Sequence, residues 1–286
     1  MEIDGKTQVA GVLGFPVSHS KSPAMHNAGY HHLNLPYTYI PFEVQPQNLG
    51  AFMAGFRALE NFRGLNVTVP YKEAVIPYLD ELDTFARACG AVNTIVKSNN
   101  RLVGYNTDGR GFMTGLYCEV GLRLSKQSSV VIVGAGGSSR ALSTVVKSLC
   151  NSAPTILNRH VDKALEMVKS TEYPLGNVQV FGLDPVAFGQ SNFEALNQAD
   201  LIIQTTPVGM SPNEHECPIG NFDWVRPEQI VCDIIYKPDE TLFLRKAKAR
   251  GAQTLNGAGM LAGQGVLAFE LITGHTIDYS IMRGVL

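Results

Sequence analysis

Ser129-Val130-Val131-Ile132-Val133 runs directly into Gly134-Ala135-Gly136-Gly137-Ser138-Ser139-Arg140, the strongest fold signal in the chain. A short, wholly apolar run bounded by glycines reads as a strand buried on both faces, the kind found in parallel sheets. The residues after it have helical character through about Cys150. A strand, a glycine-rich turn and a helix in succession suit one ligand in particular. Glycine lets the backbone turn tightly, and it lets a pyrophosphate approach the free N–H groups at the helix N-terminus. The strict dinucleotide fingerprint has a third glycine at the position held here by Ser139. Downstream, strands are expected at Thr155–Leu157, Val178–Leu183, Leu201–Gln204 and Ile230–Ile234, with a short one near Thr254 and a helix over Val161–Ser170. That alternation predicts a parallel sheet wound with helices, an α/β fold.

The end of the second strand of this half bears on which dinucleotide would bind. A site for NAD usually offers Asp or Glu to the ribose hydroxyls there. This chain has Asn158-Arg159-His160, with Lys163 one turn on. Two cations stand where a 2′-phosphate would sit, and arginine binds phosphate with a planar fork. The same charges would also serve as a solvated helix start, but their distance from the glycine loop favours NADP.

Working back to the N-terminus, strands are expected near Val9–Gly14, Tyr37–Val44, Leu65–Val69 and Asn93–Val96. The last pairs with Leu102–Tyr105 through the turn Ser98-Asn99-Asn100, and helices begin near Ser22, Pro46 and Tyr71. Ser22-Pro23 reads as an N-cap with proline at the first helical position. With Ser18 and Ser20 it also forms a hydroxyl cluster beside a positive helix end, suited to a carboxylate. The two readings are compatible. Lys72 follows a strand end, where α/β sites collect, or is a solvated lysine at a helix start. Asp108 is a helix cap or a functional carboxylate, and Asn93 a turn residue or a ligand contact. A last helix, about Met260 to Thr273, is apolar nearly all round and is expected to be buried.

Length and composition bound the classes. A chain of 286 residues is enough for about two domains. A formal net charge of −2 gives no overall pull toward nucleic acid or an anionic membrane, so neither is an expected partner. No apolar run is long enough to span a bilayer, and the polar first residues do not read as a signal peptide. Five scattered cysteines (Cys89, Cys118, Cys150, Cys217 and Cys232) without a Cys-x-x-Cys pair read as reduced thiols in a cytoplasmic protein, with no metal site. Glu214-His215-Glu216-Cys217, flanked by Pro212 and Pro218, reads as a polar loop.

Taken together, the blocks His19-Ser20-Lys21-Ser22-Pro23, Asn66-Val67-Thr68-Val69-Pro70-Tyr71-Lys72, Gly90-Ala91-Val92-Asn93-Thr94, Asn106-Thr107-Asp108-Gly109 and Gly134-Ala135-Gly136-Gly137 resemble the shikimate dehydrogenase family. Asn158-Arg159 with Lys163, and Asn256 to Gln264, complete the set in the family's order. The resemblance implies two α/β domains around a cleft: a substrate-binding domain, 1–108 with 258–286, and a Rossmann-type NADP-binding domain, 109–257. It implies reversible NADPH-dependent reduction of 3-dehydroshikimate to shikimate in aromatic amino acid (chorismate) biosynthesis. A quinate/shikimate dehydrogenase using NAD or NADP is the alternative, and a monomer or homodimer is the expected assembly.

Residue by residue, the resemblance implies that Ser20 and Ser22 hold the substrate carboxylate. Thr68, Asn93, Asp108 and Gln264 would contact ring hydroxyls, with Tyr236 reaching in from the cofactor half, and Lys72 and Asp108 would be the catalytic pair. Gly134, Ala135, Gly136, Gly137 and Ser138 would cradle the pyrophosphate. Asn158, Arg159, His160 and Lys163 would meet the adenosine phosphate, and Ile234 and Gly257 would border the nicotinamide. The chain departs from the family pattern in three places: His160 replaces a common Thr, Lys163 a frequent Arg, and Asn256 a frequent Asp. The first two keep NAD open beside NADP.

Overall fold

The structure is a computed structural model and describes residues 3–183 and 189–286. The chain forms two compact units, Met1–Gly111 with Leu261–Leu286, and Phe112–Met260.

The first unit opens with β1 (Gln8–Gly14), α1 (Ser22–His32), β2 (Tyr37–Glu43), α2 (Leu49–Ala58) and β3 (Phe62–Val67). It continues with the short β4 (Glu81–Leu82), α3 (Thr84–Cys89), β5 (Thr94–Ser98) and β6 (Arg101–Tyr105), and α4 (Asp108–Val120) leads onward. The six strands form one sheet in the order β2-β1-β3-β5-β6-β4. β1 lies parallel to both β2 and β3, whereas β5 runs antiparallel to β3 and β6. The β5–β6 turn has Asn99 at φ 49° and Asn100 at φ 62°, the left-handed pair a two-residue hairpin requires and asparagine tolerates. Side chains of β1 alternate between the faces of the sheet. Val9 and Leu13 pack with Leu49, Met53 and Phe56 of α2, while Ala10 and Val12 pack with Met25, Tyr30 and Phe269.

Two expectations need correction here. Ser22 is the first residue of α1, not its cap; Lys21 holds the cap position and makes no side-chain cap bond. The Ser22 N–H is taken instead by Ser20 Oγ at 3.3 Å. No α-helix begins at Tyr71; a single 3₁₀ turn covers Ile76–Tyr78. The reason lies in the carbonyl of Lys72, which an α-helix would bond to residue 76. It accepts from Val92 N at 2.7 Å, and Ile76 N turns to Glu73 O at 3.2 Å.

The second unit contains β7 (Val130–Val133), α5 (Gly137–Leu149), β8 (Thr155–Asn158), α6 (Val161–Ser170), β9 (Val180–Gly182) and α7 (Gln190–Gln198). β10 (Leu201–Gln204), β11 (Ile230–Asp233), α8 (Leu242–Ala249) and β12 (Gln253–Leu255) follow. α9 (Ala258–Thr273) then carries the chain back to the first unit, which ends with α10 (Tyr279–Arg283). The second sheet has the order β12-β11-β10-β7-β8-β9, and every pair is parallel. Counted from β7 this is the 3-2-1-4-5-6 order of a Rossmann sheet, whose winding reverses between β7 and β10. Trp224, Phe243 and Leu196 fill its core with Val131 and Ile202.

α9 is apolar nearly all round because it is buried on several sides. Ala262 and Phe269 pack beneath the first sheet. Glycines let α9 approach α4 closely. A Cβ on Gly111 would collide with the Gln264 backbone, and one on Gly263 with the Gly111 carbonyl. Among the described residues, no helix is long and apolar enough to cross a membrane.

Candidate active site and dinucleotide loop

In the first unit the winding also reverses, with β1 between β2 and β3. Ligands of open α/β sheets gather at the carboxyl ends of strands beside such a reversal. β1 and β3 pair as far as Leu13 and Val67, so the loops after them leave the same edge side by side. Phe15 N donates to Val69 O at 3.1 Å and Thr68 N to Leu13 O at 2.9 Å, tying the two loops together. Because β5 is antiparallel, its first residues lie at this edge too, as does the end of β6. Val67 N donates to Asn93 O at 2.8 Å, and Asn93 N to Tyr105 O at 3.0 Å. The topology thus collects Ser20, Ser22, Thr68, Lys72, Asn93 and Asp108 at one edge of one sheet.

Three of these side chains bond directly. Lys72 Nζ donates to Asp108 Oδ2 at 2.6 Å, and Asn93 Nδ2 donates to Asp108 Oδ1 at 2.7 Å. Asp108 opens α4 and is buried, where the positive helix end favours a carboxylate. Its side chain is 9% exposed against 29% for Lys72, so the carboxylate is the more enclosed partner of the pair. One turn along α4, the Gly111 crossing places Gln264 beside this helix start. The Gln264 amide donates to Leu261 O at 3.0 Å. Ser20 stays half-buried and Ser22 is buried.

Sequence reasoning singled out Asn93 but not the groups that hold it. Thr107 N donates to Asn93 Oδ1 at 2.8 Å, and Asn66, Thr94 and Tyr39 lie behind it, all buried. Asn66, Thr94 and Thr107 stand inside the quoted motifs; Tyr39 carried no local signal.

The residues expected to meet a dinucleotide lie in the second unit. Gly134 has φ +115°, and a Cβ there would collide with Thr205 Oγ1, so this position needs glycine on both counts. At Gly136 and Gly137 a Cβ would meet nothing, leaving the backbone open. Gly136 caps α5 without a side-chain bond, so the first N–H groups of this helix are available to an anion. Ser139 replaces the third glycine for a visible reason: its buried hydroxyl donates to Gly134 O at 2.8 Å and pins the loop. Ala135 and Ser138 are half-buried beside it.

At the end of β8, Asn158 Nδ2 donates to His160 O at 2.7 Å and folds the turn into α6. Arg159, His160 and Lys163 are exposed. Arg159 and Lys163 form no ion pair among the described residues. An open helix start with two uncommitted cations at the neighbouring strand end fits a dinucleotide bearing an extra phosphate. Ile234 and Tyr236 follow β11, and a Cβ on Gly257 would collide with the Ile234 carbonyl. Tyr236 is half-buried, and burial raises its phenol above the usual range. The buried Asp233 at the end of β11, which the sequence reading did not single out, holds this segment. It accepts from Ile235 N at 2.9 Å and Thr241 Oγ1 at 2.7 Å, and burial pushes its carboxyl up to about 6.

A Rossmann sheet with an open glycine loop, together with a lysine–aspartate pair in a separate α/β unit, defines the class: a dinucleotide-dependent oxidoreductase. Comparison with known proteins gives the particular family. Residues 12–95 match the shikimate dehydrogenase substrate binding domain, and residues 257–286 the shikimate 5'-dehydrogenase C-terminal domain. The shikimate dehydrogenase (NADP(+)) of Desulforamulus reducens is 46% identical over 99% of this chain and 96% of its own. The chain belongs to the shikimate dehydrogenase family. Among solved structures, the shikimate 5-dehydrogenase of Listeria monocytogenes in complex with shikimate and NAD is 34% identical, with TM-score 0.89 over 100% of this chain and 98% of that one. That of Thermus thermophilus in complex with NADP(H) and shikimate is 32% identical, with TM-score 0.84 over 98% of both chains.

Proposed function

We propose that this chain catalyses the reversible NADPH-dependent reduction of 3-dehydroshikimate to shikimate, as the resemblance of its relatives supports. The observation that carries the reading is the 2.6 Å contact between Lys72 and Asp108, in which the lysine side chain stays partly exposed. The first unit then binds substrate and the second the dinucleotide. Bound NADPH supplies the hydride. Reducing the ketone also needs a proton at oxygen, and a lysine ammonium is a ready donor at neutral pH. An ammonium has three N–H donors. One is spent on Asp108, which leaves the others to polarise the carbonyl and pass the proton.

Asp108 orients Lys72, and its position beside Asn93 suits a ring hydroxyl. Ser20 and Ser22 hold the substrate carboxylate, while Thr68, Gln264 and Tyr236 contact the ring. Gly134 to Ser138 cradle the pyrophosphate, Arg159 and Lys163 meet the 2′-phosphate beside Asn158 and His160, and Ile234 and Gly257 border the nicotinamide. The five cysteines are free thiols, which supports a cytoplasmic setting. The test is steady-state oxidation of shikimate and of quinate, each with NADP+ and NAD+, followed by the absorbance of reduced nicotinamide. Turnover of shikimate with NADP+ is expected to dominate; no turnover of it would overturn the reading.

A further inference from the structure

The Lys72–Asp108–Asn93 cluster does not end at Asn93. Behind it, buried polar side chains continue through the first unit. Tyr39, on β2, donates its phenol to Asn66 Oδ1 at 2.7 Å. Asn66, on β3, donates from Nδ2 to Asn93 O at 3.3 Å and to Thr94 Oγ1 at 3.1 Å. Thr94, the first residue of β5, donates in turn to Asn93 Oδ1 at 3.1 Å. Asn93 Nδ2 donates to Thr107 Oγ1 at 2.9 Å and to Asp108 Oδ1 at 2.7 Å.

The polarity of every link is fixed by a group that has no choice. A backbone carbonyl only accepts, so the Asn66 atom facing Asn93 O is its NH₂, and its Oδ1 must face Tyr39. A backbone N–H only donates, so the Asn93 atom facing Thr107 N is its Oδ1, and its NH₂ must face Asp108. Between these two fixed amides stands one rotatable hydroxyl. Thr94 meets an N–H on one side and a carbonyl on the other, and a single orientation satisfies both. Thr94 is 0% exposed and Tyr39 1%, so neither is open to solvent. A fully satisfied buried network rigidifies the groups it joins.

We propose that Thr94 is a positioning residue for catalysis: its hydroxyl locks the Asn66 and Asn93 amides together, and so holds the Asn93 NH₂ on Asp108, with Tyr39 anchoring the far end. This rests on the assignment of Lys72 and Asp108 as the catalytic pair.

The test uses full-length Thr94→Val, which keeps the shape and removes the hydroxyl, and Thr94→Ser, which restores it. With shikimate and NADP+, Thr94→Val is expected to lower kcat about 3–10-fold, the worth of one hydrogen bond, with KM for shikimate nearly unchanged. Thr94→Ser returns kcat close to the parent value. A merely structural role would lower the melting temperature of Thr94→Val and leave kcat of the folded enzyme intact, and that result overturns the proposal. So does a Thr94→Ser variant as slow as Thr94→Val. Should Thr94→Val fail to fold, Tyr39→Phe removes one hydroxyl at the other end of the network; because that phenol also meets Ser22, a fall in kcat with KM for shikimate unchanged supports the proposal, and an intact kcat, or a rise in KM alone, overturns it. Lys72→Ala in the same assay separates the levels. If it keeps full turnover, the catalytic pair itself is wrong; if it loses turnover while Thr94→Val and Tyr39→Phe do not, only the positioning role falls.

Discussion

Acid should destabilise the first unit through a single histidine. His26, on α1, is 0% exposed. Its ring stacks on Tyr39 at 4.3 Å between centroids and 7° between planes, and Tyr30 and Phe269 close the other sides. Neither ring nitrogen has a hydrogen-bond partner among the described residues. Charging a ring with no partner in an apolar setting is costly, and burial pushes His26 down from 6.5 to about 3.

The sign follows from linkage. Between the two values the unfolded chain binds a proton that the folded chain refuses, so stability rises with pH in this window and is lost on acidification from about 6.5 toward about 3. At about 1.4 kcal/mol for each pH unit, the loss on going from pH 7 to pH 5 is about 2 kcal/mol. His26→Phe keeps a flat ring for the stack and removes both nitrogens, so this part of the pH dependence disappears. Urea unfolding at pH 7 and pH 5 measures it as a difference of differences, in which the other titrating groups cancel. Far-ultraviolet circular dichroism is the suitable probe, since the one tryptophan, Trp224, lies in the other unit. If the variant loses as much stability as the parent between the two pH values, His26 is not buried neutral and the reasoning fails.

Lys72→Ala should reduce kcat by about 10²–10⁴-fold and leave KM for shikimate much less affected; a raised KM with kcat intact would make Lys72 a binding residue. Arg159→Ala combined with Lys163→Ala should raise KM for NADP+ at least about tenfold, since bonds to a charged phosphate are strong. KM for NAD+ should stay near the parent value, and an equal rise for both cofactors would exclude contact with the 2′-phosphate. Gly134→Ala meets both a positive φ and the Thr205 side chain. It should cost about 1–3 kcal/mol of strain, read as a lower melting temperature and weaker NADPH binding by fluorescence titration.

Which parts of this were legible beforehand follows from the range of the interactions. The Val130–Val133 strand and its glycine turn could be read because strand, turn and helix are settled within a dozen neighbouring residues. The Asn99-Asn100 hairpin was legible for the same reason. The helix expected at Tyr71 was not a local matter: the Lys72 carbonyl is claimed by Val92, twenty residues on, and propensity had no access to that competitor. Ser22 likewise lost the capping role to its neighbours' geometry, with Ser20 accepting its N–H. Ser139 looked like a departure from a fingerprint and proves to be a tie to Gly134 O.

The available chemistry, namely the residue types, the glycine turn, the cations near β8 and the order of the motifs, is legible in the linear chain because it depends on side-chain identity and short spacing. Folding alone brings Lys72 and Asp108, 36 residues apart, to 2.6 Å and sets Asn66, Thr94 and Thr107 behind Asn93. Strand pairing across the β1–β3 reversal brings those groups to one end of the sheet, where the buried amides of Asn66 and Asn93 find partners for both oxygen and nitrogen. A linear pattern names the participants, but the direction of the hydrogen bonds is set by the backbone carbonyl or N–H that each amide comes to face in the fold.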